Sequence, residues 1–171
     1  YPFSQVIRDN GRKIVDNTLV QGEDGRYRID FADFEEKIRS CKVKLFFLCN
    51  PHNPVGRVYT EEELRRVGEI CRRHHVFVIA DEIHSDLIFP GHQHIVFASL
   101  GQNYAENCAV CHAPSKTFNL AGLSFSCIMI PNEERRKRFD QMFARYCRAH
   151  PNFFAPVAAK AAWDHGEAWL D

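Results

Sequence analysis

The chain has 171 residues, enough for one domain with a sizeable core, and it balances 22 basic against 22 acidic residues. A net charge near zero speaks against an electrostatic nucleic-acid or membrane-surface binder. No apolar run approaches the length of a membrane span, and no repeat or low-complexity tract interrupts the chain. Residues 3–10 (FSQVIRDN) predict a short helix stopped by Gly11. The stretch 12–20 (RKIVDNTLV) alternates roughly as a strand does, and GEDG at 22–25 reads as a turn. Asp30 stands where an N-cap is needed for a helix over 31–40, with Phe31, Phe34 and Ile38 as its buried stripe. Residues 43–49 (VKLFFLC) are nearly continuously apolar, as in a strand buried on both faces.

Thr60 opens the next helix with a capping box, because Glu63 stands three residues on. Leu64, Val67, Ile70 and Cys71 form its apolar face. Glu61 to Glu63 sit at its positive end, and Arg72, Arg73 and His74 at its negative end. Residues 76–81 (VFVIAD) read as a second buried strand, 108–113 (CAVCHA) as a third and 124–130 (SFSCIMI) as a fourth. Residues 132–149 predict a basic amphipathic helix, and 154–170 another, entered through Pro156. Strand, helix, strand in this order makes a right-handed βαβ unit with a parallel sheet. Both ends of the chain are abrupt, which suggests the core of a longer protein.

Seven cysteines, an odd number dispersed through apolar segments, predict reduced core thiols in a cytosolic protein. Cys108 and Cys111 form a C-x-x-C inside a strand, where residues three apart face opposite sides of the sheet. That spacing speaks against a shared metal or a disulfide. His74 and His75, and the GHQH at 91–94, lack a cysteine or carboxylate at ligand spacing and read as solvated loop or helix-end histidines.

Three strands run straight into polar motifs. The first enters NPHNPVG at 50–56, the second DEIHSD at 81–86 and the third PSKTFN at 114–119. In a parallel sheet these exits share the carboxyl edge, where open α/β sheets bind ligands. Asn53, Asp81, His84, Ser115 and Lys116 can therefore converge although they lie far apart in the chain. Each motif taken alone is only a polar loop. Lys116 has no charged neighbour for many residues on either side and lies between Ser115 and Thr117. A lysine becomes nucleophilic when deprotonated, and partial burial promotes that. An aspartate near an aromatic nitrogen keeps that nitrogen protonated. Together they describe pyridoxal phosphate chemistry, with the lysine for the Schiff base and the aspartate for the pyridinium.

NPHNPVG, DEIHSDL and SKTFNLAGL, in this order, resemble the motifs of fold-type-I pyridoxal phosphate enzymes of the class I/II aminotransferase superfamily. DEIHSDL with SKTFNLAGL is most similar to the cystathionine β-lyase-like C–S lyases, since typical aminotransferases carry tyrosine where His84 stands. The resemblance covers essentially the whole chain. It implies a three-layer α/β/α sandwich with a mostly parallel sheet, of which residues 1–171 would be the core of the cofactor-binding large domain. An N-terminal segment and a small C-terminal domain would lie outside the chain, with the ring-stacking aromatic just upstream of Tyr1.

Carried over by position, the resemblance gives Lys116 the imine, Asp81 the pyridine nitrogen and Asn53 the phenolic oxygen. His84 would make a contact like that of the usual tyrosine, and Ser115 would help hold the phosphate. Asn50 and Pro51 would only shape their turn. The family often places a further serine three residues before the lysine and an arginine eight residues after it. Here those positions are Ala113 and Ser124. The implied activity is C–S β-lysis of cystathionine or a cysteine S-conjugate, giving a thiol, pyruvate and ammonia, by a cytoplasmic homodimer. A class I/II aminotransferase and a non-catalytic module of the same fold remain alternatives.

Overall fold

The computed structural model describes residues 2–146 and 152–170. The first helix, α1 (Pro2–Asp9), stops as expected before Gly11, whose φ of 65° lies in the left-handed region that glycine adopts without strain. The predicted strand over 12–20 is corrected. Residues 12–19 have no regular structure, and only β1 (Val20–Gln21) pairs, antiparallel, with β2 (Tyr27–Arg28) across the GEDG turn. Alternation alone does not make a strand, because ladder hydrogen bonds need a neighbour of matching length. Asn17 spends its amide on the α2 entrance instead, donating to the Asp33 carboxylate at 2.7 Å and the Asp30 carbonyl at 3.1 Å.

Asp30 caps α2 (Phe31–Ser40), its Oδ1 accepting from the amides of Ala32 and Asp33 at 3.0 Å each. These amides have no partner within the helix. Of the stripe expected on α2, Phe34 and Ile38 are buried and Phe31 is half-buried. The next strand is β3 (Leu45–Cys49), followed by α3 (Glu61–Arg73) with its capping box in place. Such a cap contributes about 1 kcal/mol. Then come β4 (Phe77–Asp81), the short α4 (Gln102–Ala105), β5 (Cys108–His112) and β6 (Cys127–Met129).

The four longer strands form one sheet in the order β3-β4-β5-β6. The first three are parallel, and β6 runs antiparallel to β5. One face packs on α2 and α3. There Leu48, Val78, Ala80 and Val110 of the sheet meet Phe34, Ile38, Leu64 and Val67. Burying such side chains stabilises the fold by about 1.5–3 kcal/mol each. On the opposite face Phe3 of α1 stacks on Phe47 with ring centroids 5.0 Å apart. The Arg135 guanidinium of α5 (Glu133–Tyr146) lies 4.7 Å from the Phe77 ring centroid on the same face. The result is the expected three-layer α/β/α arrangement on a mostly parallel sheet.

Three further details differ from expectation. The strand β3 is less buried than its composition implies, with Leu45 42% exposed, because it is the edge of the sheet among the described residues. Of the helix expected over 132–149, α5 ends at Tyr146, and 147–149 lie outside the described residues. The helix expected over 154–170 is two, α6 (Phe154–His165) and α7 (Glu167–Leu170), broken at Gly166. A Cβ at Gly166 would stand 2.3 Å from the Ala162 carbonyl and 2.4 Å from the Phe118 ring. The chain bends where it passes that ring too closely for any side chain.

Candidate active site

The parallel register aligns three residues across the sheet, Cys49 beside Asp81 and Asp81 beside Cys111. Because alternate residues share a face, all three project to the side opposite α2 and α3. Just beyond them the chain leaves the sheet, at Asn50, at Glu82 and, after His112, at Ala113, all on the carboxyl edge. The ladder continues into the loops: Asn50 N donates to Asp81 O and Glu82 N to Cys111 O, both at 2.9 Å.

Asp81 is half-buried, and its Oδ1 accepts from the Ile83 amide at 3.2 Å. Burial pushes the Cys49 thiol up, opposed by the Asn53 backbone and reinforced by the Asp81 carboxylate, and its Sγ donates to the Pro51 carbonyl at 3.5 Å. The Cys111 thiol is raised by burial, then by Asp81 and Glu82. Asn53 itself is exposed, in a turn closed by the His52–Arg57 bridge and by Gly56 at φ 73°. His52 lies half-buried there, its imidazole pushed down by burial and by Arg57.

His84 is half-buried in the turn after Asp81, and its carbonyl accepts from Leu87 N at 3.0 Å. That turn is fastened to the lysine loop. Thr117, only 4% exposed, donates through Oγ1 to Asp86 Oδ2 at 2.8 Å. His112 Nδ1 approaches the Glu82 carbonyl at 3.2 Å, and its Nε2 stands 3.7 Å from Asp86. From the other side Trp169 Nε1 of α7 donates to the Thr117 carbonyl at 3.1 Å. Ala113, Pro114 and Thr117 are buried, Ser115 is half-buried, and Lys116 is exposed. The partial burial expected for Lys116 is therefore corrected: the loop is anchored by its neighbours, and the lysine projects outward. Among the described residues its side chain has no hydrogen bond or ion pair.

Of the five residues singled out in the sequence, Asn53, His84, Ser115 and Lys116 stand on loops at this edge and Asp81 ends its strand there. What the sequence reading missed is the layer behind them. Asp86 and Thr117 were already inside the quoted motifs, but nothing local pairs them. Asn50 is fully buried, as a turn-shaping residue should be, and its Oδ1 accepts from Tyr59 N at 3.1 Å. His94, expected to be solvated, is corrected: its side chain is 7% exposed and it faces Glu82 at 3.0 Å. Cys108 points into the core while Cys111 lines the opposite face, and both are free thiols, as the strand geometry required.

An α/β sheet that gathers a lysine, an aspartate at a strand end and an exposed asparagine at its carboxyl edge has the build of a cofactor-dependent enzyme domain. The chain belongs to the aminotransferase class I and II family, whose model matches residues 1–169. It is 47% identical to cystathionine beta-lyase PatB of Bacillus subtilis over 170 residues, 99% of this chain and 44% of that protein. Cystalysin from Treponema denticola, whose crystal structure contains pyridoxal 5'-phosphate, superposes with a TM-score of 0.95 at 36% identity, covering 100% of this chain and 43% of that one. The pyridoxal phosphate-bound C-S lyase from Staphylococcus hominis superposes with a TM-score of 0.91 at 38% identity, covering 99% and 42%. The chain thus spans less than half the length of these relatives.

Proposed function

We propose that residues 1–171 are the core of the large domain of a pyridoxal phosphate-dependent C–S β-lyase. Its substrates are cystathionine or cysteine S-conjugates, and its products a thiol, pyruvate and ammonia. The Bacillus relative and the two cofactor-bearing structures support this reading. The observation that carries it is the register row through Asp81, which sets the three motif loops on one edge.

The chemistry of the donor set fits the cofactor. Lys116 offers an exposed primary amine for an aldehyde. Asp81 offers a carboxylate with a backbone partner on one oxygen. Asn53 offers an exposed amide, and Ser115 a hydroxyl next to the lysine. Ala113 and Ser124 bring no cation to the phosphate, and Ser115 would help to hold it.

When bound, pyridoxal phosphate supplies an electron sink beside the substrate's Cα. Lys116 would hold the cofactor through its aldehyde carbon, and its Nζ, once freed, would be the base for the substrate's Cα proton. Asp81 would keep a proton at the ring nitrogen through charge pairing. Asn53 would donate to the phenolic oxygen, and His84 would make a further polar contact there. The electron pair left by the Cα proton would form the Cα–Cβ double bond as the thiolate leaves from Cβ, and water would convert the remaining amino-acid fragment to pyruvate and ammonia. The anchoring of Thr117 holds Lys116 in place for both of its roles, which matters because misplacement by about 1 Å can cost 100-fold in rate. The reading includes a homodimer in the cytoplasm; the unbridged described cysteines support a reducing compartment.

Product analysis with cystathionine tests it. Pyruvate, ammonia and a thiol in equal amounts support the lyase. Exchange of the amino group with an oxo acid instead makes the protein an aminotransferase, and no turnover in the full-length protein makes the fold a non-catalytic module.

A further inference from the structure

Behind the site runs a buried polar chain that the mechanism above does not use. Glu82 is 2% exposed. Its Oε1 accepts from the Phe97 amide at 2.8 Å, and its Oε2 lies 3.0 Å from His94 Nε2. On the far side of the ring, His94 Nδ1 lies 3.5 Å from Asn50 Nδ2. Asn50 Oδ1 in turn accepts from the Tyr59 amide.

The donors and acceptors fix one arrangement. The Tyr59 amide can only donate, so the Asn50 oxygen faces it and the Asn50 NH2 faces His94. His94 Nδ1 must then accept. Its proton sits on Nε2, aimed at the Glu82 carboxylate. Any other placement sets two donors face to face in a buried site, where an unmatched polar group costs about 1–3 kcal/mol.

The chain joins two of the three motif loops. Asn50 opens the loop that carries Asn53. Glu82 follows Asp81 directly, and Asn50 N also bonds Asp81 O at 2.9 Å. His94, from the GHQH stretch that no part of the site absorbed, is the strut between them. We propose that His94, as its Nε2–H tautomer, is a positioning residue that sets Asn53 against Asp81 and so determines how tightly the site holds pyridoxal phosphate. This rests on the reading of the site given above.

The experiment uses the full-length protein. Nitrogen NMR of histidine-labelled protein, with His94 assigned by its loss in His94→Gln, reads the tautomer without any cofactor. Protonation at Nε2 with an unprotonated, hydrogen-bond-accepting Nδ1 is expected; the reverse tautomer overturns the proposal. Titration with pyridoxal phosphate, followed by absorbance, reads the positioning. His94→Leu is expected to weaken binding by about 10- to 100-fold. His94→Gln, whose side-chain NH2 can still donate to Glu82, is expected to recover most of that loss. Should His94→Leu fail to fold, Asn50→Asp serves: it keeps the acceptor for Tyr59, removes the donor to His94, and is expected to shift the tautomer and weaken binding together. A merely structural His94 would lower the melting temperature and leave cofactor affinity within twofold of the wild type in folded variants, and that result overturns the inference. If wild-type protein takes up no cofactor on Lys116, the proposed function fails first, and with it the positioning role.

Discussion

Thr117 Oγ1 donates to Asp86 Oδ2 at 2.8 Å, and this one hydrogen bond ties the loop carrying Lys116 to the turn carrying His84. Its removal has unequal consequences. In Asp86→Ala the Thr117 hydroxyl stays buried without an acceptor, which costs about 1–3 kcal/mol. In Thr117→Val the half-exposed carboxylate turns to water, and the loss is about 1 kcal/mol. A double-mutant cycle by urea unfolding should show coupling on the order of 1 kcal/mol. Strict additivity would mean that the bond does not join the two loops.

Lys116→Arg should eliminate covalent attachment of pyridoxal phosphate and nearly all turnover, because a guanidinium stays protonated and is not nucleophilic at neutral pH. Asp81→Ala should leave attachment possible and still remove turnover, since the ring nitrogen loses its charge partner. Borohydride reduction followed by peptide mapping distinguishes the two. A phosphopyridoxyl group on another lysine, or normal activity in Lys116→Arg, contradicts the assignment.

The cysteines should react in order of burial. Cys41 is exposed, whereas burial pushes the thiols of Cys71 and Cys108 up to about 12. Thiolate is the reacting form, so a chromogenic disulfide at pH 8 should modify Cys41 first and leave Cys71 and Cys108 untouched until the protein unfolds. Unfolding without reductant should release all seven thiols of the sequence, although Cys147 lies outside the described residues. A persistent Cys108–Cys111 bridge would contradict the strand geometry.

Stability should fall on the alkaline side. Burial, with smaller opposing and reinforcing effects from Arg57 and Glu63, raises the Tyr59 hydroxyl from 10.0 to about 12. Cys71 and Cys108 rise from 9.0 to about 12. A raised folded-state value means that the native form keeps its proton longer than the unfolded form. The stability is fully present below pH 9 and is lost between pH 9 and pH 12 as the unfolded chain ionises first. For Tyr59 alone the loss is on the order of 2–3 kcal/mol. Urea midpoints measured from pH 8 upward should therefore decline, and Tyr59→Phe should flatten part of the slope. A midpoint independent of pH over that range would refute the effect.

Local chemistry was enough to place the helix starts at Asp30 and Thr60, the apolar strands ending at Cys49 and Asp81, and the three polar motifs that follow strands. Each depends on residues a few positions apart: a cap oxygen within reach of the next amides, a run of apolar side chains, a loop just past a strand. The same chemistry put Asn53, Asp81, His84, Ser115 and Lys116 on one edge, because parallel strands share their exits. Tertiary structure decided what needs partners far along the chain. It left residues 12–19 without a strand because, among the described residues, no neighbour pairs with them, and it turned β6 antiparallel to β5. It broke the last helix where Phe118 crowds Gly166. It buried His94 between Glu82 and Asn50, bound Thr117 to Asp86, and left Lys116 exposed between half-buried Ser115 and buried Thr117. Those pairings span 12, 44 and 31 residues of chain, and a hydrogen bond between distant side chains has no signature in either sequence neighbourhood until the backbone brings them together.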